Sequence, residues 1–359
     1  MKSKIKLMAV VLCITMVFVL SACAADTDNG SGDTGGEVSA DDNAQGTSDT
    51  DSSSGAADGK KIKIGVIQYA PHPSLDNCYK GFMEGLASAG YKDGDNVEIY
   101  FQNAQGEQTN SDMIAKNMVV SKYDMIVAIA TPAAMSAYSA AKDTDIPIVF
   151  SAVSDPLAAG IVESLEKPGT NATGTSDVLP LEDQMKMIRA FLPDAKKIGI
   201  IYTTSEPNSV THLTKFKEIA PEYGFEIVDI GVTNSSEVAT AATTLVSKGV
   251  EAINNFTDNN VVNNLPSVIH AADAANIPVF GSEVEQVKNG CVAAQSIDYV
   301  SLGRKTGEIA AKILKGEAKA GDIPVALISD STPVYNKAVV DRLKLTVPPD
   351  YANAEEVGE

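Results

Sequence analysis

The stretch Tyr123-Asp124-Met125-Ile126-Val127-Ala128-Ile129-Ala130-Thr131-Pro132 has a counterpart later in the chain, Val250-Glu251-Ala252-Ile253-Asn254-Asn255-Phe256-Thr257-Asp258-Asn259. Each copy has the pattern of a buried strand and a short polar turn, and an Ala-rich helical run follows it. Each then leads to a second strand introduced by Ile-Pro, at Ile146-Pro147 and at Ile277-Pro278. This internal repeat predicts two similar lobes built from strand–helix–strand units.

The segments upstream of the two copies extend the repeat. Lys63-Ile64-Gly65-Val66-Ile67-Gln68 and Lys197-Ile198-Gly199-Ile200-Ile201-Tyr202 are strand patterns, and each precedes a polar turn, a helix, a strand and a second helix. This rhythm favours right-handed strand–helix–strand crossovers and parallel sheets. We therefore predict an α/β fold with two Rossmann-like lobes, whose sheets face one another across a cleft.

The lobe boundaries follow from the order of these elements. Lobe 1 is predicted to comprise residues 61–175 plus about 297–325, and lobe 2 residues 176–296 plus about 326–348. This division makes the chain cross the hinge several times. The first crossing is expected at Gly174-Thr175-Ser176-Asp177, which is rich in residues typical of turns.

The N-terminal 60 residues have a composition of their own. Three lysines precede an apolar run at residues 7–20, which is too short to favour a spanning helix, so residues 1–22 are predicted to be a signal peptide. Leu20-Ser21-Ala22-Cys23 resembles a bacterial lipobox, with Cys23 as the lipidated residue; an ordinary cleaved signal with an incidental cysteine is the alternative. Residues 23–60 are acidic and poor in large apolar residues, which predicts a disordered linker.

Composition limits the possible functions. The chain has 47 acidic and 28 basic residues, which argues against nucleic-acid binding because a phosphate backbone needs a basic face. Neither Cys78 nor Cys291 has neighbours at metal-ligand spacing, and their separation leaves both a disulfide and free thiols open. The three histidines are isolated, and no sequence motif of a hydrolase, nucleotide-binding or metalloprotease site follows a strand. We expect no metal, no cofactor and no enzyme activity.

Polar side chains at the predicted strand-to-helix turns suit a zwitterion. In open parallel sheets, ligands bind outside the carboxyl ends of the strands, where helix N-termini offer free N–H groups. Thr131 and Ser151 could hold a carboxylate there through hydroxyl and amide groups. The carboxyl groups of Asp177, Glu206 and Asp258 could hold an ammonium group by charge-assisted hydrogen bonds.

An aromatic ligand side chain could stack between Tyr69, Tyr202 and Phe256. The alternative for Thr131, Ser205 and Asp258 is a helix N-cap, a role that is compatible with ligand contact. The predicted ligand-binding set is Tyr69, His72, Asp76, Thr131, Ser151, Asp177, Tyr202, Ser205, Glu206, Asn208, Thr257, Asp258, Asn259 and Glu283.

Five motifs in this order carry a family resemblance: Gln68 to Asp76 with its His-Pro-Ser-Leu-Asp ending, Ala130-Thr131-Pro132-Ala133, Ser151-Ala152-Val153-Ser154-Asp155-Pro156, Gly174-Thr175-Ser176-Asp177 and Thr257-Asp258-Asn259. Together they resemble the bacterial ABC-transporter substrate-binding proteins that include the tryptophan- and phenylalanine-binding proteins. The chain departs from the usual pattern at Ser154, where threonine is expected, and at Tyr69-Ala70.

This resemblance implies a type I periplasmic-binding-protein-like fold that closes around one amino acid, which we expect to be aromatic, either tryptophan or phenylalanine. It also implies delivery of that ligand to a membrane permease energised by an ATPase, and it supports Thr131, Ser151, Asp177, Glu206 and Asp258 as ligand contacts. We expect a monomeric, extracytoplasmic protein that is held at the bacterial cell membrane by its lipid.

Two alternatives remain. An extracellular sensor lobe would have the same site chemistry and differ only in its partner. A two-lobed amino-acid racemase would need Cys78 and Cys291 as opposed acid and base at the cleft, each tuned by its neighbours. The patterns place Cys78 in an amphipathic helix and Cys291 in or beside an apolar strand, which disfavours the racemase.

Overall fold

The computed structural model describes residues 61–358, so the predicted signal peptide, Cys23 and the acidic linker lie outside the described residues. The strands are β1 (Ile62–Gln68), β2 (Val97–Asn103), β3 (Met125–Ile129), β4 (Ile148–Ser151), β5 (Ala172–Asp177), β6 (Lys197–Thr203), β7 (Glu226–Val232), β8 (Ala252–Asn254), β9 (Val279–Phe280), β10 (Ala293–Ser296), β11 (Ala326–Ile328), β12 (Thr332–Tyr335) and β13 (Glu355–Glu356). The helices are α1 (Pro73–Ser88), α2 (Gln108–Val120), α3 (Thr131–Ala141), α4 (Leu181–Phe191), α5 (Pro207–Ile219), α6 (Val238–Ser247), α7 (Asn259–Asn263), α8 (Leu265–Asp273), α9 (Val284–Lys288), α10 (Tyr299–Leu314) and α11 (Lys337–Arg342).

The first sheet has six strands in the order β11-β5-β4-β3-β1-β2, and every neighbouring pair is parallel. Its central strands β3, β4 and β5 are fully buried because helices cover both faces of a parallel sheet. The runs of Ile, Val and Ala in β3 and β4 satisfy that requirement. The late strand β11 joins this sheet beside β5.

The second sheet has four parallel strands in the order β7-β6-β8-β9, and it repeats the β–α rhythm of the first. A small third sheet, β10-β12-β13, contains one antiparallel pair, β10 with β12. The predicted α/β class with parallel sheets is confirmed. The residue boundaries of the two lobes stay a prediction.

The turn predicted at Gly174-Thr175-Ser176-Asp177 is wrong, because these residues lie in the buried strand β5. The position of the first crossing stays a prediction. Gly174, Thr175 and Ser176 are typical of turns, but here they pair with β4 on one side and β11 on the other. A Cβ atom on Gly174 would lie 2.0 Å from the carbonyl oxygen of Phe150. The glycine is therefore needed for close strand packing rather than for a turn.

Helices α1 and α5 both begin with a proline, at Pro73 and Pro207. Proline suits the first turn of a helix because its fixed φ is helical and its missing N–H would be unpaired there. The two prolines move the preceding residues His72 and Glu206 to N-cap positions beside the sheets.

Helices α1 and α10 pack so closely that only glycine fits between them. A Cβ on Gly85 would lie 2.1 Å from the carbonyl oxygen of Arg304, and one on Gly303 would lie 2.1 Å from that of Cys78. The two helices run in the same direction, which brings the start of α1 and the start of α10 to the same end of the first sheet. Among residues 61–358, no helix has the length and apolar character needed to cross a membrane.

Candidate functional site

A small pocket lies where strands of both large sheets end. On the side of the first sheet it is lined by the starts of α1, α3 and α10 and by residues at or just past the ends of β3, β4 and β5. On the side of the second sheet it is lined by the start of α5, the turn after β8, and residues of α7 and α9. The lining residues are His72, Ser74, Leu75, Ala130, Thr131, Ala152, Ser154, Asp177, Asn208, Thr257, Asn259, Val262, Glu283, Gln286 and Tyr299.

Seven of the fourteen predicted contacts line this pocket. They are His72, Thr131, Asp177, Asn208, Thr257, Asn259 and Glu283. The carboxyl ends of parallel strands meet at one edge of each sheet, and this geometry brings together residues that are far apart in sequence. The internal repeat predicted this convergence, because Thr131 and Thr257 occupy corresponding positions in the two copies.

Glu206 and Asp258 support the lining residues from behind. The Glu206 carboxylate accepts hydrogen bonds from Asn259 Nδ2 at 2.8 Å and from Asn208 Nδ2 at 3.2 Å. Asp258 accepts from the backbone N–H of Thr203 at 2.6 Å and caps α7 by accepting from the backbone N–H of Val261 at 3.0 Å. The helix-cap alternative for Asp258 is thus what the structure contains.

The other predicted residues lie outside the lining. Tyr69 donates to the carbonyl oxygen of Gly106 at 2.9 Å, and the exposed Asp76 accepts from Gln68 Nε2 at 2.8 Å. The remaining three are the buried Ser151, which accepts from Thr306 Oγ1 at 3.0 Å, the half-buried Tyr202 on β6, and the exposed Ser205.

The predicted aromatic sandwich is not assembled. Phe256 is fully buried and packs edge-on against Phe216, with ring centroids 5.2 Å apart. The aromatic residue that lines the pocket is Tyr299, at the first position of α10. Sequence reasoning missed it. Its signal is the N-cap Asp298 directly before it, which marks a helix start shortly after strand β10.

Acidic groups dominate the electrostatics of the site. Asp177 is 2% exposed, and its carboxylate accepts from Tyr299 Oη at 2.9 Å and from Ser154 Oγ at 3.0 Å. Burial raises the pKa of Asp177 to about 6 and that of Glu283 to about 7. Burial, together with the nearby Asp258, raises the pKa of Glu206 to about 8. The fifteen lining residues include no Lys or Arg, so the ionised carboxylates have no cationic neighbour in the pocket wall.

The backbone of the site is strained at two non-glycine positions. Ala130, with φ 80° and ψ 154°, precedes α3, and Ala152, with φ 55°, follows β4. Both line the pocket. Such conformations cost on the order of 1–3 kcal/mol each and persist where the surrounding structure enforces them, which is common at binding sites.

Some buried polar atoms of the lining lack a partner within the described chain. They are Nδ1 of His72, Oγ of Ser74, Oδ1 of Asn208 and Oγ1 of Thr257. An unpaired buried polar atom costs free energy, so such atoms are usually satisfied by water or by a ligand. The pocket therefore has hydrogen-bonding capacity that the described part of the chain does not use.

Within the described residues, hydrogen bonds at and beside the pocket join helix α1 and its N-cap to residues on the second-sheet side. His72 Nε2 lies 3.4 Å from Asn259 Oδ1, and Asn77 Nδ2 donates to Glu285 Oε1 at 3.2 Å. Burial lowers the pKa of His72 to about 4, so the imidazole is neutral at pH 7.

The two remaining cysteines are buried, free thiols that do not line the pocket. Cys78 lies in α1 against α10, and Cys291 lies in the core beside the second sheet. Burial raises the pKa of both thiols, which keeps them protonated. This placement does not support the two-cysteine racemase.

The family described as ABC transporter substrate binding protein has a sequence model that matches residues 63–356. The chain belongs to this family. The substrate-binding protein is 43% identical over 289 residues to the tyrosine-binding protein of Clostridioides difficile (strain R20291), an alignment that covers 80% of this chain and 83% of the relative.

Two solved structures are similar to the chain over most of its length. The ABC domain in complex with L-Trp from Streptococcus pneumonia is 37% identical with a TM-score of 0.80, covering 84% of this chain and 100% of that one. A substrate-binding protein with adhesive properties from Clostridium difficile, in its ligand-free, open structure, is 42% identical with a TM-score of 0.63, covering 83% and 99%. The chain is thus structurally more similar to the L-Trp complex than to the ligand-free, open structure.

Proposed function

We propose that this substrate-binding protein captures an aromatic amino acid in the pocket between its two large sheets and delivers it to the permease of an ABC importer. Two relatives support this ligand class, one named for tyrosine binding and one solved with L-Trp. The predicted division into two lobes supplies the motion, since a ligand that contacts both sides favours the closed arrangement.

The observation that carries this proposal is the group of buried carboxyl groups at a pocket whose lining includes no Lys or Arg. Desolvation makes the ionised forms of Asp177 and Glu283 costly, and a ligand ammonium group would offset that cost. We assign the ammonium contact to Asp177, because Tyr299 and Ser154 hold its carboxylate in a fixed orientation.

The carboxylate of the ligand would lie at the start of α3. Thr131 is the first residue of that helix and lines the pocket, and free N–H groups at a helix start attract anions. The ring would contact Leu75, Val262 and Tyr299, which supply the apolar and aromatic part of the wall.

We propose that the protein is located outside the cytoplasmic membrane and is anchored to it by a lipid on Cys23. It would act there as a monomer beside its permease. The lipobox-like sequence Leu20-Ser21-Ala22-Cys23 supports the anchor. The partners implied by the family are a permease and an ATPase that drives it.

The proposal is tested by two measurements on the full-length mature protein. Mass spectrometry of ligand released on denaturing freshly purified protein should find an aromatic amino acid. Calorimetric titration of the ligand-stripped protein with tyrosine, tryptophan and phenylalanine should then give saturable binding of at least one of them, while lysine and glutamate should not bind. Release of a sugar or an aliphatic amino acid, with no heat from the aromatic ones, would contradict the proposal.

A further inference from the structure

Two buried oxygens that have no hydrogen-bond partner within residues 61–358 belong to residues on the second-sheet side of the pocket. They are Oδ1 of Asn208, at the start of α5, and Oγ1 of Thr257, in the turn after β8. Both residues line the pocket, and Asn208 is 3% exposed. A buried oxygen without a partner costs free energy, so these two oxygens point to a polar ligand group.

The orientation of the Asn208 amide is fixed by its neighbour. Its Nδ2 donates to Glu206 Oε2 at 3.2 Å, and the same oxygen accepts from the backbone N–H of Asn259 at 3.2 Å. An oxygen that accepts from a backbone N–H is an acceptor, so the amide must present its nitrogen to Glu206 and leave Oδ1 free. Asn208 Oδ1 can only accept a hydrogen bond, whereas the hydroxyl of Thr257 can both donate and accept.

A phenolic hydroxyl group matches this pair of oxygens. It donates one hydrogen bond, which Asn208 Oδ1 can take, and it accepts one, which Thr257 can give. An indole N–H can only donate and would satisfy one of the two, and a phenyl ring would satisfy neither. A pocket with polar groups placed for a substrate hydroxyl discriminates strongly against the analogue that lacks it, because those groups then stay buried and unpaired.

We propose that Asn208 and Thr257 are specificity-determining residues that select a ring hydroxyl, so that the protein prefers tyrosine to phenylalanine and tryptophan. This inference rests on the proposed function. It adds an orientation in which the amino and carboxylate groups lie at the first sheet and the ring hydroxyl at the second.

The test is a calorimetric titration of wild type, Thr257→Val and Thr131→Val with tyrosine and phenylalanine, with tryptophan and 4-fluorophenylalanine added for the wild type. Valine has nearly the shape of threonine but no hydroxyl, so each variant removes one oxygen. Thr131→Val is the matched control, because its proposed contact is the carboxylate that all these ligands share. Thermal melts check that each variant is folded.

The wild type should bind tyrosine about 10- to 100-fold more tightly than phenylalanine or 4-fluorophenylalanine. Thr257→Val should weaken tyrosine binding about 10-fold and should not weaken phenylalanine binding, because it removes an oxygen that phenylalanine leaves unpaired. Thr131→Val should weaken both by a similar factor, which keeps their ratio constant. The ligand series in the wild type needs no variant, so it tests the inference even if Thr257→Val does not fold.

Equal affinity of the wild type for tyrosine and phenylalanine, or a preference for tryptophan, would overturn the inference and leave aromatic amino-acid binding intact. An unchanged ratio of tyrosine to phenylalanine affinity in Thr257→Val would overturn the role of Thr257. Absence of binding to any aromatic amino acid would instead overturn the proposed function, and this inference with it.

Discussion

Replacing Asp177 by asparagine should change stability and ligand affinity in opposite directions. Asp177 ends the buried strand β5, and its carboxylate accepts from Tyr299 at 2.9 Å and from Ser154 at 3.0 Å. Asparagine has the same shape and keeps one acceptor oxygen for these hydroxyls. The substitution therefore removes the charge with little change in packing.

The stability effect follows from the pKa of Asp177, which burial raises from an ordinary value of 3.8 to about 6. The folded protein holds this proton more tightly than the unfolded chain, so stability is lost as pH rises from about 4 to about 6 and stays lower above that. The difference in pKa corresponds to about 3 kcal/mol at pH 7. Asparagine has only one acceptor oxygen for the two hydroxyls, and the weakened hydrogen bond lowers the stability of the variant by about 1 kcal/mol. Ligand-free Asp177→Asn should therefore be about 2 kcal/mol more stable than wild type, a rise of a few degrees in Tm.

The affinity effect has the opposite sign, because the ammonium group of the ligand would lose its charged partner. Truncating one member of a buried charge pair costs about 2–5 kcal/mol, which is a loss of roughly 30- to several-thousand-fold in affinity. Wild-type affinity should also fall as pH drops below about 6, since Asp177 must then lose a proton on binding. The Asn variant should lack that part of the pH dependence.

Differential scanning calorimetry of both ligand-stripped proteins at pH 4, 5, 6 and 7, with titration of tyrosine at the same pH values, measures both effects. Ser154→Ala is the matched control, since it removes a hydrogen bond to the carboxylate but keeps the charge. Equal tyrosine affinity in wild type and Asp177→Asn would refute the ammonium contact and assign it to Glu283 or Glu206. A lower Tm of the ligand-free Asn variant at pH 7 would refute the argument that the ionised group is a net cost.

Three further outcomes are expected. Cys23→Ala should release the protein from the membrane fraction or block signal processing, and unchanged fractionation with membranes would contradict the lipid anchor. Gly85→Ala should lower the free energy of unfolding by several kcal/mol in denaturant titrations, because its Cβ would lie 2.1 Å from a backbone carbonyl oxygen of α10. The control Lys80→Ala, on the exposed face of α1, should change that free energy little. Ala130→Gly should keep or raise the Tm, because glycine tolerates the φ of 80° at this position. The control Ala133→Gly, inside α3, should lower stability by about 1 kcal/mol. Equal losses in the two variants would show that Ala130 is unstrained.

Much of the fold can be predicted from local sequence patterns. The bounds of α4 and α10 agree with their apolar periodicity, and β1 falls where the sequence has a strand pattern, because short-range propensity and burial favour the same structure there. The repeat predicted the matched positions of Thr131 and Thr257, and both line the pocket. The order of the elements was enough to predict parallel sheets whose strand ends form the site.

Other features depended on contacts between distant segments. Gly174, Thr175 and Ser176 have turn propensities, and only pairing with β4 and β11 makes them a strand. Tyr299 lines the pocket because the close glycine contact of α1 with α10 positions its helix, and no local pattern records that contact. The aromatic ring of Phe256 would suit contact with an aromatic ligand, yet it packs against Phe216 in the core.

The sequence by itself determined which residue types stand at the ends of the strands, because periodicity and chain order are local properties. The tertiary structure decided which of those side chains face the pocket and which face the core, since a shift of one residue along a strand reverses the face. It also decided the charge properties of the site. The raised pKa of Asp177 comes from desolvation by elements distant in the chain, and burial of that kind exists only after the two sheets have packed around it.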